Sequence, residues 1–178
     1  KEQGRVGDID PADWKNAVWG KDKQGTDLVK YEAREYTQQD GTVKVQDKEG
    51  GTDLTYSLPK GFSVIVEAYK DSSDPRLQDL ADKIMAAHHK AVDKTNSYIE
   101  KNLVSARVWN KGVVEHEFTG KAAFGNYDHH ISREQDAQTH THSFLLNMTR
   151  TSDGRWRAID NKPIFENQKY LGQLHMSE

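Results

Sequence analysis

The stretch opened by Asp74-Pro75 restricts the fold more than any other part of the chain. Asp74 can cap a helix and Pro75 suits its first position. Leu77, Leu80, Ile84, His88, Ala91, Thr95 and Ile99 then recur at steps of three and four residues, with charged residues between them. That spacing predicts a long helix with one apolar stripe. A stripe on one side needs a complementary surface, and the alternating segments around it supply candidate strands. Thr52 to Leu58 places Leu54, Tyr56 and Leu58 on one face and Asp53, Thr55 and Ser57 on the other, and Pro59 ends it. Leu103 to Trp109 and Val113 to Phe118 read as strands joined at Asn110-Lys111-Gly112. Lys121 to His129 and His140 to Arg150 read as two more. Asp153-Gly154 is a hairpin signal leading into Arg155 to Ile159. Phe62 to Tyr69 is largely apolar, so periodicity leaves strand and helix both open. Ile164 to Met176 is expected to be a terminal helix. The order predicts an α+β fold with a central antiparallel sheet flanked by helices.

The first 50 residues are polar and weakly patterned. Asp10-Pro11 starts a short helix with Trp14, Ala17 and Val18 as its apolar face. Lys30 to Gly51 reads as irregular structure or a loose hairpin, with a break at Gly50-Gly51. At 178 residues the chain suits one domain with a core, although only 34% of it is hydrophobic. It contains no cysteine, which excludes disulfides and thiolate ligands and fits a reducing compartment. No apolar run reaches the length of a membrane span, and no secretory signal is visible. The net charge of −3 argues against a generically basic nucleic-acid binder, but not against a local basic groove.

The chemistry concentrates between Asp128 and His142. Four of the eight histidines lie there, too dense a cluster to treat as scatter. In a strand, His140 and His142 share one face and Thr141 takes the other. His129 can return beside them on a neighbouring antiparallel strand. Three converging imidazoles can hold one divalent cation and leave coordination positions open, as catalytic metal sites do. Such donors suit zinc, manganese, nickel or copper better than calcium, and magnesium prefers oxygen. His130 should face away from the cluster. His88 and His89 fall on the predicted helix as core-edge or solvated residues, and His116 and His175 carry no motif. A cupin site would want a glutamate soon after the His-x-His, and Ser143 to Met148 has none. Asp53 could accept a hydrogen bond from a ligand histidine or take a proton. Arg133, Glu134, Gln135 and Asp136 could orient the ligands. Lys60, Arg133, Arg150, Arg155, Arg157 and Lys162 are candidate phosphate contacts, each also readable as ordinary charged surface. Trp156 reads as a core anchor.

Thr52-Asp53-Leu54-Thr55-Tyr56-Ser57-Leu58-Pro59-Lys60 resembles the Asp-Leu-Thr-Phe-Ser-x-Pro-Lys motif of conjugative relaxases of the TrwC/MobF class. His129 through His142, with Ser132-Arg133 and His-Thr-His, resembles the three-histidine signature of the same family. Asn147-Met148-Thr149, Asp153-Gly154-Arg155-Trp156-Arg157-Ala158, Asn167-Gln168-Lys169 and Leu171-Gly172 extend the likeness in order. The resemblance implies a palm-like HUH relaxase fold. It also implies nicking and rejoining of one DNA strand at a plasmid transfer origin through a 5′-phosphotyrosyl intermediate. A metal on His129, His140 and His142 would polarise the scissile phosphate. Asp53 would orient a ligand histidine and assist the tyrosine proton. Lys60 and Arg133 would contact DNA phosphates, and Arg150 and Arg155, near the histidines, are further candidate DNA contacts. The implied partners are single-stranded or hairpin origin DNA and other relaxosome proteins, in the bacterial cytoplasm. Ala137 and Thr139 stand where the family has proline and leucine, and Ile131 where threonine is common. The family's nucleophile lies at its extreme N-terminus, and none of Tyr31, Tyr36, Tyr56, Tyr69, Tyr98, Tyr127 and Tyr170 matches that context. The expectation is a single relaxase domain, residues 1–178, that starts after the nucleophile segment and lacks the helicase often fused to such domains.

Three other readings compete. A rolling-circle replication initiator places its tyrosine on a helix after the metal strand, as Tyr170 would be. A non-catalytic module would keep the fold and metal for DNA binding alone. A metal-dependent hydrolase would use water.

Overall fold

The computed structural model describes residues 9–29, 33–46 and 48–177; Tyr31 and the residues before Ile9 lie outside that set. The described chain falls into two compact units. One comprises the described residues within 1–52, 104–123 and 146–160, and the other those within 53–103, 124–145 and 161–178.

The second unit is built on strand β3 (Gly51–Ser57), helix α2 (Lys60–Tyr69), the long helix α3 (Pro75–Asn102), strands β6 (Phe124–Ile131) and β7 (Ala137–Leu146), and helices α4 (Lys162–Glu166) and α5 (Gln168–Met176). The other elements are α1 (Pro11–Val18), β1 (Arg34–Thr37), β2 (Val43–Gln46), β4 (Ser105–Asn110), β5 (Val113–Phe118), β8 (Thr149–Arg150) and β9 (Trp156–Arg157). The three strands of the second unit form one sheet in the order β3-β7-β6, so β7 is central. β6 and β7 pair antiparallel. Between β3 and β7, the Leu58 amide donates to the Thr139 carbonyl at 3.0 Å, and Asp53 reaches His142. Residue numbers rise on one strand as they fall on the other, so this pair is antiparallel too.

Helix α3 starts where the sequence says. The Asp74 carboxylate accepts from the Arg76 amide at 2.9 Å, and Pro75 holds the first helical position. Its buried residues are Ala81, His88, Ala91, Val92, Thr95, Asn96 and Ile99. The predicted stripe therefore holds from His88 onwards. Nearer the N-terminus, Leu80 is 42% exposed and Ala81 takes the core position, because the helix packs there on a slightly rotated face. His88 is 2% exposed, deeper than a core-edge position. Residues 60–69 are a helix, in which Ser63 and Val66 are buried while Phe62 and Val64 are exposed. The period was hidden because the outward positions are also apolar. The predicted terminal helix is two helices, broken at Asn167, whose side-chain amide donates to the Pro163 carbonyl.

The inner face of β7 is polar. Thr139, Thr141 and Ser143 are each almost fully buried and alternate with His140 and His142. Each meets a helix. The Thr139 amide donates to Ser63 Oγ, His88 Nε2 lies 2.8 Å from Thr141 Oγ1, and Asn96 Nδ2 donates to Ser143 Oγ at 2.8 Å. Tyr56 Oη donates to Asn96 Oδ1, and the Tyr56 ring packs on His175 of α5. His175 in turn contacts His88.

The first unit consists of hairpins and one capped helix. Asp10 accepts from the Ala12 amide at 2.8 Å and starts α1, as predicted. β1–β2, β4–β5 and β8–β9 are each two-stranded antiparallel pairs, so the loose-hairpin reading of residues 30–51 holds for its described part. β4–β5 turns through Lys111 (φ 48°) and Gly112 (φ 85°). Left-handed geometry at both central residues matches the twist of a two-residue hairpin. The strand expected to run from His140 to Arg150 is two strands. Asn147 leaves the ladder to bond Glu49 and Ile159 before β8 begins. No helix among the described residues is long and apolar enough to cross a membrane.

Ile99→Ala should cost about 2–5 kcal/mol in urea denaturation, because the side chain is fully buried and its removal leaves a cavity. Leu80→Ala, at an exposed site on the same helix, should stay within about 0.5 kcal/mol of the unaltered chain. Burial lowers the His88 imidazole from its ordinary value to about 4, with His175 and His89 nearby adding to the effect. The unfolded chain then binds more protons than the folded one between about pH 6.5 and 4. Stability should be complete above that window and fall on acidification through it, by about 3 kcal/mol from this group. Denaturation midpoints at pH 7 and pH 4.5, compared with those of His88→Leu, check the sign and source.

Candidate metal centre

The β6–β7 hairpin places the three histidines. Its loop is tight: Ser132 Oγ accepts from the amides of Glu134 and Asp136, both at 3.2 Å, and Gln135 takes φ 61°. The strands then pair with His129 directly opposite His140, and Tyr127 opposite His142. Cross-strand partners project to the same face. His129, His140 and His142 therefore share one side of the sheet, and the helix contacts of Thr141 and Ser143 lie on the other.

The three rings form a near-equilateral group, with centroids 5.3, 5.0 and 5.0 Å apart. One ligand nitrogen from each lies within 4.8 Å of the others. Among the described residues this is the one group of histidines and carboxylates placed to hold a metal ion. Two of the rings have their tautomer set by hydrogen bonds. His142 Nδ1 donates to Asp53 Oδ2 at 2.7 Å, with Thr55 Oγ1 at 3.4 Å. His140 Nδ1 donates to the Gln138 carbonyl at 2.8 Å. The pairing register shifts between His129 and Ile131, opposite this segment of β7. Such irregularities re-aim groups out of the ladder. With Nδ1 protonated, Nε2 of His140 and of His142 keeps a free lone pair, the form a cation needs. The donor set thus fits a divalent ion, with imidazole nitrogens as ligands and coordination positions left open.

The other sequence candidates distribute unevenly. Asp53 is half-exposed beside His142. Lys60 opens α2 and pairs with Asp136 of the hairpin loop at 3.2 Å, and Arg133 is exposed in that loop. Arg150 and Arg155 belong to the other unit. Arg150 Nε donates to the Gly154 carbonyl, and Arg155 lies 3.8 Å from Asp153. Arg157 is held by both Asp153 oxygens, at 2.9 and 2.7 Å, which depresses the Asp153 carboxyl far below its ordinary range. His130 stays out of the group, as its place in the alternation predicts.

Among the tyrosines, Tyr56 is buried, and burial pushes its phenol well above the usual range. Tyr170 on α5 packs against Tyr98 of α3 with ring centroids 5.2 Å apart. That contact is on the helix-covered side of the sheet, opposite the histidines. Tyr127, 46% exposed, shares the histidine face.

The sequence did not show that Asp128, Thr141, His88 and His89 join in one hydrogen-bonded group behind the hairpin. The polar alternation Thr139, Thr141, Ser143 was the available signal, since a buried strand face is ordinarily apolar. Removing the carboxylate that orients His142, in Asp53→Ala, should weaken Ni²⁺ binding about 10–100-fold while the chain still folds. Titration calorimetry and circular dichroism measure the two effects separately.

The TrwC relaxase family model matches residues 1–178. The multifunctional conjugation protein TraI of Escherichia coli is 29% identical over 187 residues, covering 100% of this chain and 9% of that protein. A metal-free structure of the conjugative relaxase TrwC in complex with oriT DNA superposes with a TM-score of 0.75 and 32% identity. It covers 98% of this chain and 54% of that one. A copper-bound TrwC–oriT structure gives 0.74 and 32%, over 96% and 52%. The chain thus spans about half of those TrwC chains and a small part of TraI. Match and superposition extend over essentially all of the present sequence, through both the Asp53 strand and the histidine hairpin, and the chain belongs to the TrwC relaxase family.

Proposed function

We propose that this chain is one relaxase domain that cuts and rejoins a single DNA strand at a plasmid transfer origin, by metal-assisted tyrosine transesterification. The observation that carries the proposal is the convergence of His129, His140 and His142 beside Asp53, with Asp53 already bonded to His142. Family membership supports it, as do TrwC structures that hold oriT DNA with and without copper.

In this reading His129, His140 and His142 are the ligands of one divalent ion. When bound, the cation supplies Lewis-acid polarisation of the scissile phosphoryl oxygens. Asp53 keeps the Nε2 of His142 directed at it. A tyrosine oxygen attacks phosphorus and the bond to the 3′ oxygen breaks, leaving a 5′-phosphotyrosine and a free 3′ hydroxyl. The tyrosine proton leaves through Asp53, which is exposed enough to accept it, and the departing 3′ oxygen gains a proton. A free phenol has a pKa near ~10, so this removal is required at neutral pH. One ester replaces another of similar energy, and the strand can be rejoined by the reverse path. Lys60 and Arg133 contact the DNA backbone near the hairpin, with Arg150 and Arg155 as further contacts. Each added phosphate contact steepens the salt dependence of binding. The reaction takes place in the bacterial cytoplasm, with the plasmid and other relaxosome proteins as partners.

The protein that carries this chain, given Mn²⁺ and an oligonucleotide spanning a transfer origin, should yield a protein–DNA adduct that survives denaturation. Peptide mapping of the adduct identifies the attacking tyrosine. His140→Ala should abolish the adduct, and Tyr170→Phe should leave it unchanged. Cleavage to a 5′-phosphate with no adduct would replace this reading with a water-using hydrolase.

A further inference from the structure

The reverse side of the histidine hairpin carries a continuous hydrogen-bonded chain that the reaction itself does not use. Thr141 Oγ1 lies 2.6 Å from Asp128 Oδ1, its direct cross-strand partner, and 2.8 Å from His88 Nε2. His89 Nε2 lies 2.7 Å from Asp128 Oδ2. His175 Nε2 lies 3.3 Å from His88 Nδ1.

One assignment of hydrogens satisfies all four contacts. A carboxylate oxygen accepts, and each Asp128 oxygen is within hydrogen-bond distance of one donor, Thr141 Oγ1 at 2.6 Å and His89 Nε2 at 2.7 Å. Thr141 therefore donates to Asp128 and accepts from His88 Nε2–H. His88 is neutral at ordinary pH, so its Nδ1 accepts from His175 Nε2–H. Every donor runs towards the carboxylate.

This chain fits one register alone. Sliding β7 by one residue would turn Thr141 to the outer face and His140 and His142 inward. An apolar inner face would resist that slip only by area and shape. A hydroxyl bonded to a carboxylate on the next strand and to an imidazole on a helix resists it directly, since slippage would take Thr141 away from both Asp128 Oδ1 and the Nε2 of the buried His88. Asp128 immediately precedes His129, and Thr141 lies between His140 and His142. The linked residues are thus the immediate neighbours of all three candidate ligands.

We propose that Thr141, Asp128, His88 and His89 are positioning residues, a polar brace that holds His129 in register with His140 and His142 and so sets the affinity of the centre for a divalent ion. The inference rests on the metal reading above.

The test is Ni²⁺ titration calorimetry on the 178-residue chain, with thermal melting of the metal-free protein measured alongside. Thr141→Val keeps the shape and removes the hydroxyl. It should weaken Ni²⁺ binding about 10–100-fold, as loss of an orienting partner does, and Thr141→Ser should restore most of it. A lower melting temperature with unchanged Ni²⁺ affinity would show a structural role only and overturn the inference, as would failure of Thr141→Ser to rescue. If Thr141→Val does not fold, His89→Ala decides alone. It is at a half-exposed helix position and severs only the second Asp128 oxygen, so weaker binding supports the inference and unchanged binding overturns it. An unaltered chain that binds no Ni²⁺ would sink the metal reading itself. Binding in the unaltered chain with no change in the variants would sink the brace alone.

Discussion

The pairing of His129 with His140 across the β6–β7 hairpin is the constraint on which the site depends. Neither histidine is useful without it. Side chains in a strand alternate faces, so a slip by one residue would remove two of the three imidazoles from the group. The tight Ser132–Asp136 loop and the buried contacts of Thr141 fix the register from the end and from beneath. The outer face is then free to remain polar and accessible.

The two sides of β7 divide the work. Outward, His140 and His142 present nitrogens whose tautomers are set by Gln138 and Asp53. Inward, the Thr141 and Ser143 side chains meet α3 through hydrogen bonds, and the Thr139 backbone amide meets Ser63 of α2. Each such bond contributes only about 0.5–1.5 kcal/mol net. Their larger effect is to penalise alternatives, because a buried hydroxyl, amide or imidazole left unpaired costs more than the bond gains. Apolar stability comes from elsewhere in this unit, from Val66, Val92, Ile99, Leu145, Ile164 and Leu171.

Much of the fold was legible because local chemistry and long-range packing agree. Asp74-Pro75 and Asp10-Pro11 start helices because capping and the fixed proline φ act within one turn. The turn at Lys111-Gly112 follows from left-handed backbone geometry. The histidine group was legible because strand alternation is a strict period of two. The errors lie where that agreement fails. Phe62 and Val64 are apolar yet exposed, so the run 62–69 carried no readable period. Leu80 sits outside the core although it continues the stripe, because the helix meets its neighbours along Ala81. Asn147 ends β7 through partners about a hundred residues away in one case and twelve in another, which no local pattern records.

The order of residues alone determined that a long one-sided helix would need a sheet, that His140 and His142 would face together, and that His130 would not join them. These follow from periods of 3.6 and 2, which are properties of the backbone. Only the tertiary structure decided that His129 lands opposite His140, that Asp53 and not a loop residue bonds His142, and that His88 and His89 lie behind the hairpin against Thr141 and Asp128. Those contacts join segments up to 89 residues apart. Their existence depends on which register and which helix face the packed chain selects, a choice made by the balance of buried area and paired polar groups.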